Sequence, residues 1–244
     1  MAPNTVHYAI GDVHGRSDLL ETLYARIAAF HAAHHGARAA TLVHLGDYID
    51  GGPDSPGVID RLMAGMPGFR SVCVRGNHEV MMLACLDTDE RQVWWNWLGN
   101  GGDETLASLG LRHPLGGYDP TALARALGRR RIAWLRSLPV HYQAEGYLFV
   151  HAGIMPGRPL AEQEEHDLLW IRGRFLDSDA DHGFRVVHGH TPADAPQVRP
   201  NRIGIDTGAT SRGCLTAVVL ERDGNPEPPR FLVAETARFD RRTR

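Results

Sequence analysis

The chain has 244 residues, with 26 arginine and lysine residues set against 29 aspartates and glutamates, for a formal net charge of -3. That length fits one large α/β domain with a substantial core, and charge of mixed sign gives no basis for electrostatic capture of nucleic acid or of an acidic membrane. No apolar run approaches the ~20 residues of a membrane span, MAPNTVHYAI lacks the features of a signal peptide, and Cys73, Cys85 and Cys214 show neither disulfide nor zinc spacing, so the expectation is a cytoplasmic protein whose cysteines are small core residues.

The first strand is predicted over Val6 to Ile10 and runs straight into Gly11-Asp12-Val13-His14-Gly15. A helix follows. Asp18 with Glu21 three residues on is a capping signal, Leu19, Leu23 and Ile27 recur on one face, and Gly36 supplies a stop. Next comes TLVHLGDYIDGG, in which the apolar run Thr41 to Leu45 fits a strand covered on both faces and Gly46 lets the chain turn. Asp47 stands immediately beyond that strand and Asp50 one turn further. A carboxylate in such a place can share its two oxygens between neighbouring cations. Val58, Ile59, Leu62 and Met63 predict a second helix ending near Gly65. A third strand, Phe69 to Val74, ends in Arg75-Gly76-Asn77-His78-Glu79 and leads to a helix over Val80 to Leu86. This alternation argues for a mainly parallel core sheet with right-handed crossovers.

The texture then changes. Residues 87–128, which include WWNWLGNGGDETLASLG, are read as a helical and loop excursion inserted into a single domain spanning 1–244. Trp94, Trp95 and Trp97 are assigned to packing within it, since large aromatics dominate buried area, with substrate stacking as the alternative, and Gly101-Gly102 to a tight turn. A strand at Tyr147 to Val150 empties into His151-Ala152-Gly153, an acidic helix from Glu162 to Trp170 leads to Arg172, and a strand at Phe184 to Val187 empties into His188-Gly189-His190-Thr191. The last strands are predicted around Arg202 to Ile205 and Leu215 to Leu220, with Asp206-Thr207-Gly208 between them. RFDRRTR reads as a frayed basic end. Among the remaining histidines, His31, His34 and His35 close the first helix, His44 lies within a strand, and His188 belongs to the core or supports His190.

Five strand exits therefore carry glycine together with aspartate, histidine or asparagine. Carboxyl ends of parallel strands lie on one edge of a sheet, so Asp12, His14, Asp47, Asn77, His151 and His190 are expected to converge there. A mixed oxygen and nitrogen set without thiolate suits Mn²⁺, Fe²⁺ or Zn²⁺, and two ions if Asp47 bridges.

In order, GDVHG, GDYIDGG, RGNHE, HAG and HGHT resemble the phosphoprotein phosphatase branch of the calcineurin-like metallophosphoesterases, from about Ala9 to Thr191 and with the spacing of the small bacterial and phage members. The resemblance implies a core of two mixed sheets packed as a sandwich and flanked by helices. It implies that Asp12, His14 and bridging Asp47 hold one divalent ion and that Asp47, Asn77, His151 and His190 hold the other, Mn²⁺ first with iron or zinc as alternatives. It casts His78 as general acid oriented by Asp50, and Arg172 as a phosphate-gripping residue whose alternative is a surface ion pair with the 162–167 segment. The implied reaction is direct attack of a metal-bridging hydroxide on a phosphate ester, with phosphorylated proteins or small phosphoesters as substrates. A phosphodiesterase or dinucleoside polyphosphate hydrolase is the alternative enzyme, and a non-catalytic metal-binding interaction protein the alternative outside enzymes. One departure stands out: the family's second motif ordinarily reads GDxxDRG, with its arginine on the phosphate, and Gly51 occupies that place. Its loss is expected to weaken preference for monoesters and to leave space for the extra substituent of a diester.

Overall fold

The computed structural model describes residues 5–112, 118–221 and 229–236. Its strands are β1 (Val6–Ile10), β2 (Ala40–His44), β3 (Arg70–Cys73), β4 (His141–Ala144), β5 (Tyr147–Val150), β6 (Arg185–His188), β7 (Gln197–Val198), β8 (Arg202–Gly204), β9 (Cys214–Leu220) and β10 (Arg230–Glu235). They form two five-stranded sheets, ordered β10-β9-β1-β2-β3 and β4-β5-β6-β8-β7. β1, β2 and β3 are parallel, as are β5, β6 and β8, and antiparallel strands flank each trio.

Side-chain alternation explains the layering, because successive residues of a strand face opposite sides. On β1, Tyr8 and Ile10 join the cluster under the helices, while Ala9 faces the other way. On β2, Leu42 and Val43 divide in the same manner. Ala9, Val43, Val218 and Leu220 of one sheet meet Phe149, Val187 and Ile203 of the other, which makes the sandwich interior. Leu148, Val150 and Val186 turn outward to a third cluster on the far side. The single, mainly parallel sheet expected from strand and helix alternation is thus replaced by two mixed sheets, as the family resemblance implied.

The helices are α1 (Ser17–His34), α2 (Ser55–Ala64), α3 (Asn77–Cys85), α4 (Arg91–Trp97), α5 (Asp103–Ser108), α6 (Pro120–Leu127), α7 (Arg129–Ser137), α8 (Glu165–Trp170) and α9 (Gly173–Leu176), with a five-residue π-helical turn, Leu98–Gly102, between α4 and α5. Several expectations change. Asp18 does not cap α1; it lies inside the first turn, where Arg16 engages its carboxylate at 2.7 and 2.8 Å. The acidic helix is shorter, with a separate 3₁₀ turn at Leu160–Glu162. α3 begins at Asn77, so Asn77 and His78 ride on its first turn. β4 and β10 carry no sequence signal of their own, because each is a partly buried strand completed by an antiparallel neighbour, β5 and β9 respectively. Residues 238–244, the RFDRRTR tail, lie outside the described residues. No described helix is long and apolar enough to cross a membrane.

Candidate active site

The exits of β1, β2, β3, β5 and β6 meet at one rim. Asp12 Oδ2 accepts the His190 backbone N–H at 2.9 Å, His151 Nδ1 is bonded to the Leu45 carbonyl at 2.8 Å, and the Gly189 N–H reaches the His151 carbonyl at 2.8 Å. Backbone conformation at the rim is unusual. Among the described residues five non-glycines have positive φ, and four of them are His14 (48°), Asp47 (51°), Asp50 (72°) and His190 (65°). Such residues persist only where surroundings over-determine them. Glu79 supplies part of that hold: fully buried, it accepts the backbone N–H groups of Asp47 (3.0 Å), Tyr48 (2.8 Å) and Gly76 (2.9 Å). The Asp47 carbonyl in turn accepts from Val13 and His14 at 3.0 and 2.9 Å.

The six residues proposed from sequence as ligands are gathered here. Asp47 Oδ2 lies 3.7 Å from His14 Nε2 and 3.3 Å from His151 Nε2. His151 Nε2 lies 2.7 Å from Asn77 Oδ1 and 3.2 Å from His190 Nδ1. The far nitrogens of His14 and His151 are fixed by the Ile49 and Leu45 carbonyls, 2.9 and 2.8 Å away. A carbonyl only accepts, so these bonds place the ring proton on Nδ1 and turn Nε2 inward.

These groups fit divalent cations on three grounds. First, ligand atoms of Asp47, His151 and His190, and separately of His14, Asp47 and His78, lie within 4.8 Å of one another. Second, Asp12 Oδ1 and His190 Nε2 are buried without a hydrogen-bond partner, and a Cβ at Gly189 would overlap Asp12 Oδ1. Third, the ionisation pattern is that of a site short of positive charge. Burial, then the carboxylates of Asp206 and Asp47, push Asp12 well above the usual carboxylate range. Burial, then the charge of His151, brings His190 down to about 3, so it presents a neutral imidazole. Burial works against charge on His151, yet the Asp47 carboxylate and its hydrogen bond draw it up, placing a proton where a cation would serve.

His78 faces the same cluster from α3. Its Nδ1 bonds Asp50 Oδ2 at 2.8 Å, and its Nε2 lies 3.7 Å from Asp47 Oδ2. Burial opposes the imidazolium, but Asp47 and Asp50 outweigh it and raise His78 to about 9. Arg172 is exposed at the start of α9, with its charge adding to the downward pull on His190. Three of the four acidic residues of the 162–167 segment pair with other arginines: Glu164 and Asp167 with Arg158, and Glu165 with Arg75.

Sequence reading overlooked three contributors. Glu79 closes RGNHE and sits at the third position of α3, where a carboxylate reaching back to the helix start is a capping-box signal. Asp206 is buried beside Asp12 and, like Asp47, stands just past the end of a strand. Trp97 was grouped with its neighbours as packing, yet the three differ: Trp94 is core, Trp95 is 53% exposed, and the Trp97 indole N–H bonds Asp50 at 3.0 and 3.1 Å. His188 is a buried core residue bonded to Arg202 at 3.3 Å.

The profile of the calcineurin-like phosphoesterase family matches residues 8–215. Serine/threonine-protein phosphatase 1 of Salmonella typhimurium is 31% identical over 224 residues, covering 88% of this chain and 91% of that protein. The symmetrical bis(5'-nucleosyl)-tetraphosphatase of Ralstonia nicotianae is 32% identical over 149 residues, 61% of this chain and 42% of that one. A crystal structure of a candidate diadenosine tetraphosphatase shares the fold at a TM-score of 0.65, covering 96% of this chain and 99% of its own at 22% identity. Motif-bearing strand exits that close on a single rim, within a match covering most of the sequence, establish that the chain belongs to the calcineurin-like phosphoesterase family, in its phosphoprotein phosphatase branch.

Proposed function

We propose that this enzyme is a two-metal phosphomonoesterase acting on phosphoserine or phosphothreonine in proteins, or on small phosphate esters. The reading rests above all on His78, which is bonded through Nδ1 to Asp50 while its Nε2 faces Asp47. Asp12, His14 and Asp47 would hold one divalent ion, and Asp47, Asn77, His151 and His190 the other. The donor set of carboxylate, amide and imidazole suits Mn²⁺ first, with iron or zinc also accommodated. When bound, two such ions would lower the pKa of a shared water and neutralise phosphate oxygens.

The protein's own groups do the rest. A protonated His78 can give its Nε2 proton to the leaving alkoxide as the P–O bond breaks, and a carboxylate at Nδ1 keeps the imidazole charged and oriented. Arg172, exposed beside His190, offers two parallel N–H donors to phosphate oxygens. Geometry alone also admits His78 as a ligand with His14 and Asp47. His78→Asn separates the roles: as general acid its replacement leaves metal content near wild type, whereas loss of a ligand halves it.

The similarity to a symmetrical bis(5'-nucleosyl)-tetraphosphatase, together with Gly51 in place of an arginine, favours dinucleoside polyphosphate or phosphodiester hydrolysis as the second reading. A panel of phosphopeptides, p-nitrophenyl phosphate, bis-p-nitrophenyl phosphate and diadenosine tetraphosphate, assayed before and after chelation and with Mn²⁺ restored, decides between them. Phosphopeptide turnover that vanishes with chelation and returns with Mn²⁺ supports the monoesterase. Turnover confined to the dinucleotide supports the second reading, and no hydrolysis in either state removes both.

A further inference from the structure

Asp50 is fully buried, and its carboxylate is held from three elements. His78 of α3 gives one bond to Oδ2 at 2.8 Å. Trp97 of α4 shares its indole N–H between both oxygens at 3.0 and 3.1 Å. The Thr105 hydroxyl of α5 donates to Oδ1 at 2.6 Å. A hydroxyl has a single proton, so with Thr105 committed to Asp50 its other contacts must be donations toward it, from Ser55 Oγ at 2.8 Å and from the Asp50 backbone N–H at 3.0 Å. Donation therefore runs one way, from Ser55 to Thr105 to Asp50.

The clamp is itself rigid. Trp97 is buried edge-on against Trp94, with ring centroids 5.8 Å apart. Behind it the chain must be glycine: a Cβ at Gly102 would lie 2.7 Å from Trp97 Cε2 and 2.8 Å from its Nε1. The Gly101 carbonyl accepts the Gly51 N–H at 3.0 Å, which draws the Leu98–Gly102 turn onto the loop carrying Asp50.

We propose that Trp97 and Thr105 are positioning residues for proton transfer, holding the Asp50 carboxylate in one orientation so that His78 keeps Nδ1 inward and Nε2 toward the reacting ester. The proposal rests on the reading of His78 as proton donor. A carboxylate bonded only to His78 could swing about its side-chain torsions and carry the imidazole with it. Proton transfer demands hydrogen-bond reach, and small misplacements lose much of its benefit. The helical segment outside the two sheets thereby acts in the reaction without touching substrate.

The test compares kcat on phosphoserine, whose alkoxide is a poor leaving group, with kcat on p-nitrophenyl phosphate, whose phenolate leaves unaided. Trp97→Phe and Thr105→Val remove donors at nearly constant shape, Thr105→Ser restores the hydroxyl, and His78→Asn removes the acid; metal content and melting temperature are read on every sample. Expected is a fall of roughly tenfold or more in the phosphoserine to nitrophenyl ratio of kcat for Trp97→Phe and Thr105→Val, a larger fall for His78→Asn, unchanged KM, and recovery in Thr105→Ser. A ratio held within about twofold of wild type in the two clamp variants while His78→Asn lowers it, or equal losses on both esters, overturns the positioning role alone. A ratio unmoved in His78→Asn overturns both this role and the proton-donor reading beneath it. Should Trp97→Phe not fold, Thr105→Val decides by itself.

Discussion

Asp12 Oδ2 and the His190 backbone N–H are 2.9 Å apart, a bond that joins the exit of β1 in one sheet to the exit of β6 in the other. One oxygen of Asp12 thus fastens the sandwich, and the other, Oδ1, is left facing the site without a partner. Asp12→Asn keeps an acceptor for His190 and resembles the neutral form that burial and the neighbouring carboxylates favour. The variant is expected to melt no lower than wild type in chelator, because it never carries a charge beside Asp47 and Asp206. Saturating Mn²⁺ should then raise its melting temperature much less. Wild type gains about 2.7 kcal/mol when the ion stands at a hundred times its dissociation constant. Melting curves with EDTA and with MnCl₂ read both effects, and an equal Mn²⁺-dependent rise in the two proteins would remove Asp12 from the ligand set.

Glu79 accepts three backbone N–H groups and so ties the Asp47 turn to the start of α3 through one side chain. Glutamine retains only one acceptor oxygen and turns its amide hydrogens toward other donors. Burial, then Asp47, raises Glu79 to about 7, so above that pH its bonds are those of a charged group and contribute about 1.5–3 kcal/mol each, and an unsatisfied buried donor costs a similar amount. Glu79→Gln should therefore lose about 2 kcal/mol or more in urea titration of the metal-free protein. A loss below about 0.5 kcal/mol would mean that the Asp47 turn is held by other contacts.

What the sequence discloses and what it hides follow from range. Asp12, Asp47, Asn77, His151 and His190 are legible because each stands just past an apolar run, and strand exits are local patterns. The partners of Asp50 are not legible. Thr105 lies 55 positions away and Trp97 47, and nothing in WWNWLGNGG distinguishes an indole that packs from one whose N–H meets a carboxylate. The second sheet is hidden for the same reason. Alternating strands and helices predict parallel neighbours, but whether β5 extends the first sheet or begins another depends on β4, an antiparallel strand with one exposed and three half-buried positions.

His44 gives a pH dependence through a ring bonded to Tyr24 and the Val72 carbonyl, not to a proposed ligand. It is fully buried in β2, with Nε2 2.7 Å from the Tyr24 hydroxyl, and burial lowers it from 6.5 to about 4. Above pH 6.5 folded and unfolded chains both carry it neutral, and its contribution is fully present. Between 6.5 and about 4 only the unfolded chain takes up the proton, so stability falls with acidification. Metal-free wild type should lose about 2 kcal/mol through this group between pH 7 and 4.5. His44→Gln should show an acid-induced loss smaller by that amount, whatever its stability at pH 7. Parallel stability curves for the two proteins would show that the group does not titrate in this window.

Gly51 stands where the family's arginine would contact phosphate, but the direction its side chain would take is not open. Its φ is +72°, and a Cβ there would lie 3.2 Å from Thr210 Cγ2. The space expected to admit a diester substituent is therefore partly filled by Thr210 from the loop following Asp206. Gly51→Arg alone pairs a conformational cost of about 1–2 kcal/mol with a tight contact against Thr210, and should chiefly destabilise. Adding Thr210→Gly relieves the tight contact and lets a guanidinium approach the phosphate site. A charge-assisted contact contributes about 1.5–3 kcal/mol, so the double variant should raise the ratio of p-nitrophenyl phosphate to bis-p-nitrophenyl phosphate turnover by on the order of tenfold over Thr210→Gly alone. A ratio unchanged within about twofold, with the double variant folded and metal-loaded, would show that the residue at position 51 does not set the choice between monoester and diester.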